Sequence, residues 1–112
     1  MADLEIGLRE KPSNLDELMK REGYEKERED RKATFYERTS GDIAVIYFPK
    51  LLEHEEGELP DWKGEGYENI VAELNINYER EFEEAERIAN VIARKYQGVI
   101  CDPQQDEYWE PD

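Results

Sequence analysis

Between Asn69 and Gln104 the hydrophobic period changes from that of a strand to that of a helix and back again. Ile70, Ala72, Leu74, Ile76 and Tyr78 fall on one side of an extended chain, and Val71, Glu73, Asn75 and Asn77 fall on the other. This alternation predicts a half-buried strand over Asn69–Tyr78. In the next segment Phe82, Ala85, Ala89, Ile92 and Tyr96 share a stripe that Ile88 and Ala93 widen, which predicts an amphipathic helix over Glu79–Gln97. Asn77 is the expected cap at its start, and Gly98 the expected left-handed residue at its end. Val99–Asp102 then reads as a second strand. A chain with this unit must lay a helix over one face of a sheet.

The remaining elements follow from the same periods. Leu4, Ile6 and Leu8 alternate with polar residues and predict a strand, which Pro12–Ser13–Asn14 interrupts. Ser13 with Asp16 approximates a capping box for a short helix carrying Leu15, Leu18 and Met19, and Gly23 stops it. Glu25–Lys32 holds four acids, four bases and no apolar residue, and reads as a solvated connection. Ala33–Arg38 and Asp42–Phe48 flank Thr39–Ser40–Gly41 as a β-hairpin. The second of these strands is apolar on both faces, so it belongs inside a sheet or beneath a covering segment.

The expected order is β-α-β-β-β-α-β in one α+β domain, residues 1–112. With right-handed crossovers, both helices lie on one face of a mixed sheet. The fold class is a two-layer, split-βαβ (ferredoxin-like) sandwich. An irregular acidic insertion, residues 50–68, and an acidic aromatic C-terminal tail, residues 103–112, fall outside it. The chain is expected to be soluble and cytoplasmic: it has no long apolar run, no signal-peptide pattern at its start and a single cysteine, Cys101.

Net charge is the strongest compositional constraint on function. At −15 the chain is ill suited to nucleic-acid phosphates, where basic footprints dominate affinity. Acidic surfaces favour solubility and basic partners. A Glu-rich surface that also holds many Lys and Arg residues suits ion-pair stabilisation as well. Lys50–Glu68 contributes −5, from seven acids and two lysines, and Asp102–Asp112 contributes another −5, from five acids and no base. These two segments carry two-thirds of the net charge.

Candidate chemistry is sparse. His54 with Glu55 and Glu58 offers nitrogen and carboxylate ligands for a divalent metal, but the spacing matches neither HExxH nor an EF-hand loop. A solvated acidic loop explains the same residues. Cys101 could pair with His54 as nucleophile and base, yet nothing nearby in sequence lowers a thiol pKa, and a small buried core residue is the expected role. Asp102–Pro103–Gln104 reads as a side-chain-stabilised turn leaving a strand. No cofactor motif is present.

The run from Glu84 through Ala85, Ile88, Ala89, Ile92 and Ala93 to Gly98-Val99-Ile100-Cys101-Asp102-Pro103-Gln104 resembles a pattern in small prokaryotic α+β proteins of uncharacterised function. In these a helix of A-x-x-[IL]-A type runs into G-G-V-x-x-D-P-Q, and some are similar to immunity proteins of bacterial toxin systems. Gln97 stands where that pattern has its first glycine. The resemblance implies an inhibitor-like role and carries no functional residue across.

Two classes of function remain. One is a non-catalytic module that docks a basic protein through Glu55, Glu56, Glu58, Trp62, Asp106, Glu107, Tyr108, Trp109 and Glu110, with the aromatics as anchors inside a charged rim. The other is a small metal-binding protein or enzyme built around His54. Neither class calls for nucleic acid or a membrane as partner.

Overall fold

The computed structural model describes residues 2–55 and 57–111. It contains β1 (Ala2–Leu8), α1 (Leu15–Arg21), β2 (Tyr24–Glu29), β3 (Thr34–Arg38), β4 (Ile43–Phe48), β5 (Ala72–Tyr78), α2 (Phe82–Lys95), β6 (Gly98–Asp102) and β7 (Glu107–Trp109). The strands form one seven-stranded sheet in the order β2-β3-β4-β5-β1-β6-β7. Every neighbouring pair is antiparallel, so the expected mixed sheet is corrected. The reason lies in β1. It takes the place between β5 and β6, pairing Ile6 with Leu74 on one side and with Ile100 on the other. Strands joined by a helix are therefore never neighbours.

Two further strands depart from expectation. Glu25–Lys32 is not a solvated connection: β2 occupies most of it and pairs with β3 through an irregularity between Lys26 and Arg28. An edge strand needs no alternation, because only Tyr24 reaches the core and residues 25–29 face solvent. Its charges also discourage pairing with another sheet edge. Lys26 bonds to Asp16 at 2.8 Å, and the Arg28 guanidinium lies 4.0 Å from the centre of the Phe35 ring. At the opposite edge the C-terminal tail contributes β7, paired with β6.

The inward face of the sheet presents Leu4, Ile6 and Leu8 from β1, Ile43 and Val45 from β4, and Ala72, Leu74 and Ile76 from β5. These pack with Leu15, Leu18 and Met19 of α1 and with Ala85, Ile88, Ala89 and Ile92 of α2 in one core. The expected phase is observed for Ala72, Leu74, Ile76 and Tyr78, but the strand begins at Ala72 rather than Asn69, which takes a φ of 66°, and Ile70 packs on the opposite side of the sheet. Helix ends differ from expectation. Asn77 is still paired in the sheet, opposite Asp3 and Ala44, so it cannot cap α2; Glu81 stands at the N-cap, but its carboxylate accepts from Arg38 and makes no capping hydrogen bond. Gln97, with φ of 53°, takes the left-handed conformation expected of Gly98. Gly98 instead opens β6, where a Cβ would lie 3.0 Å from the Gly7 carbonyl oxygen. Asn14, not Ser13, precedes α1, and Asp16 accepts a hydrogen bond from the Tyr36 hydroxyl. Among the described residues no helix is long and apolar enough to cross a membrane.

Candidate functional site

The outward face of the sheet is unlike the inward one. From β1 it receives Asp3, Glu5 and Gly7, from β5 Glu73 and Asn75, and from β6 Val99 and Cys101, as the registers place them. The insertion folds over this face. Trp62 is buried against Val99 and Cys101, with Leu59, Tyr67, Ile70 and Tyr108 around them. Gly7 makes this possible, since a Cβ there would come within 2.9 Å of the indole. The cover is fastened at both ends: Val71 N–H donates to the Leu8 carbonyl at 2.8 Å, and Asp61 N–H donates to the Tyr108 hydroxyl at 2.8 Å. Tyr108 also stacks on Tyr67 and meets Trp62 edge-on. This tyrosine ties the acidic tail to the acidic insertion.

Glu73 lies beneath the cover with no exposed surface. Its Oε1 accepts the Trp62 indole N–H at 2.8 Å, and His54 Nε2 stands 3.1 and 3.2 Å from its two oxygens. Beside it is a cleft of about 380 Å³ lined by Leu51, Leu52, Pro60, Tyr67 and Ile70, with Asp61, Lys63 and Glu68 at its edge. Along the same face Asn75 donates to Asp3 at 3.0 Å and to Glu5 at 2.5 Å, while Gln104 donates to Asp3 at 3.0 Å. Burial first, then the neighbouring Asp3 and Glu73, push the Glu5 carboxyl up to about 9. Burial opposes ionisation of Asp3, but its hydrogen bonds with Glu5, Gln104 and Asn75 together hold it below the ordinary carboxylate range. One proton shared between two carboxyls two residues apart is the simplest description of that pair.

The expected site residues separate into several settings. Glu55 and Glu58 are exposed and bonded to each other, Glu55 N–H donating to Glu58 Oε2 at 3.1 Å. His54 turns away from them to Glu73, and among the described residues no group of three His, Cys, Asp or Glu side chains could hold a metal ion. Glu56 lies outside the described residues. Asp106 and Glu107 are exposed, whereas Glu110 is ion-paired with Arg9. The two tryptophans part company. Trp62 is buried in the outer cluster, while Trp109 packs against the helix-side core and its indole N–H donates to Asn90 at 3.3 Å. Cys101 is fully buried; burial pushes its thiol up to about 12, and it is not paired with His54. Asp102 closes the expected turn by accepting the Gln104 N–H at 3.1 Å.

The sequence points to His54 but not to its partner Glu73. The available signal was a carboxylate in the middle of a strand with apolar neighbours at Ala72 and Leu74. What it could not supply was the segment that covers it. No protein family, curated protein or solved structure matches the chain.

Proposed function

We propose that this protein is a non-catalytic acidic docking module, immunity- or inhibitor-like, which binds a protein partner presenting a lysine- and arginine-rich face in the cytoplasm. The observation that carries this reading is where the fold's cations are engaged. The ion pairs of lysine and arginine among the described residues fall on Asp16, Glu22, Glu29, Glu81, Glu84 and Glu110. None reaches Glu53, Glu55, Glu58, Asp61, Glu65 or Glu68, all of them exposed. The insertion and tail hold two-thirds of the net charge, and Tyr108 brings them side by side. Uncompensated like charges held together favour a cationic partner and speed its approach.

A finer reading of the fold belongs to the same proposal. With β5 and β6 both antiparallel to the β1 strand between them and linked by α2, the arrangement supports a split-βαβ, ferredoxin-like core widened by β2, β3 and β7.

The test compares two variants of equal charge. One changes Glu53, Glu55, Glu58, Glu65 and Glu68 to Gln; the other changes Glu17, Glu25, Glu27, Glu79 and Glu83, exposed acids outside the insertion. Binding of a lysine-rich peptide at low salt should weaken about tenfold or more in the first and much less in the second, with the difference fading as salt screens it. Equal losses would reduce the effect to net charge and defeat the reading, as would a wild-type protein that does not bind the peptide.

A further inference from the structure

The cleft beside Glu73 has walls and a floor of different chemistry. Leu51 and Leu52, 46% and 38% exposed, stand at its mouth. Pro60, Tyr67 and Ile70 continue the apolar wall. The floor is a carboxylate with no exposed surface and no lysine or arginine partner among the described residues, held only by the Trp62 indole and the His54 ring. A buried carboxylate is costly unless paired. Two donors do not exhaust its acceptor capacity.

We propose that this cleft receives a lysine side chain of the basic partner, whose ammonium replaces the His54 imidazole at Glu73. The inference rests on the acidic-docking reading and names the anchor within it. Lysine has the matching shape, an aliphatic stem that packs on apolar walls and a compact charge at its tip. Arginine matches less well. Its planar fork prefers both oxygens of a carboxylate, and here Oε1 is already taken by the indole at 2.8 Å. At the edge Asp61 and Glu68 favour an incoming cation, and Lys63 opposes it. Because Glu73 is completely covered, entry requires the imidazole to move. His54 is itself 23% exposed and sits on the covering insertion, so it can leave without breaking a strand.

The experiment is an NMR titration of the full chain, followed at the Trp62 indole N–H. The probes are N-acetyl-lysine methylamide, its uncharged norleucine analogue of similar stem length, and butylamine. The lysine probe should shift the indole resonance saturably, and the norleucine probe should not. Glu73→Gln, which keeps an acceptor for the indole, should weaken lysine binding about tenfold or more. His54→Ala removes the competitor and should tighten it about threefold or more. Leu52→Gln, at the exposed rim, should weaken it without touching Glu73. Equal binding of the norleucine probe, no saturable shift in the wild type, or unchanged affinity in both Glu73→Gln and Leu52→Gln would overturn the inference. Butylamine binding more tightly than the lysine probe would assign the cleft to a free amine and overturn it as well. Loss of lysine binding to the cleft, with the lysine-rich peptide still captured by the exposed acids, would sink this inference alone and leave the docking reading standing.

Discussion

Leu74→Asp is expected to leave the chain unfolded at room temperature. Leu74 has no exposed surface, and it lies between Ile6 of β1 and Tyr47 of β4 on the helix-facing side of the sheet. The substitution removes about 1.5–3 kcal/mol of apolar burial. It also places a carboxylate where nothing can pair with it, which costs several kcal/mol more. Against a typical domain stability of about 5–15 kcal/mol, that combination is enough to abolish the native state. Val71→Asp is the control, since Val71 is 40% exposed and lies outside β5. Circular dichroism melting should show a cooperative transition for the Val71 variant and none for the Leu74 variant. A Leu74→Asp protein melting at the wild-type temperature would put the phase of the central strand in error.

Glu5→Gln is expected to act in the opposite direction and stabilise the protein. The Glu5 carboxyl is 8% exposed, and its folded-state pKa is pushed up to about 9 from an ordinary 4.5. The native state therefore holds a proton that the unfolded chain releases, and stability falls as pH rises between those two values. Glutamine reproduces the protonated form, with an amide N–H for Asp3 and a carbonyl for the Asn75 amide. The gain should be on the order of 2–3 kcal/mol at pH 7 and larger near pH 9. Below about pH 4 the two proteins should be equally stable, because Glu5 is then neutral both folded and unfolded. Urea unfolding at pH 4, 7 and 9 measures the difference. Parallel pH profiles would show that Glu5 and Asp3 do not share a proton.

These two positions show which parts of the structure were legible in the sequence. Leu74 was readable because one face of β5 is apolar at every second residue, and a single period is enough to orient a strand. The same holds for α2, for the β3–β4 hairpin, and for the Asp102 turn, whose chemistry is local. Glu5 was not readable. Apart from Asp3, its neighbours come from positions around 70 and 100 residues away, and only the insertion of β1 between β5 and β6 brings Asn75 and Cys101 opposite it. Local periodicity carries no information about strand order, which is also why a mixed sheet was expected. β2 escaped notice because an edge strand with both faces in water shows no alternation. Trp62 reads as a surface anchor because it stands in a polar loop; its burial depends on Gly7, more than fifty residues earlier. Glu73 was hidden for the same reason, its cover being the loop that looked solvated.

The docking face proposed above consists of Glu53, Glu55, Glu58, Asp61, Glu65 and Glu68 of the insertion with Asp106 and Glu107 of the tail, all exposed and outside the ion pairs described above. Backbone amide shifts during titration of the intact protein with a lysine-rich peptide test it most directly. Saturable, salt-sensitive shifts are expected at residues 53–55, 58–68 and 104–108, with the amides of α1, β2 and α2 little changed. Shifts centred on α1, β2 or α2, or spread evenly over the surface, would contradict it.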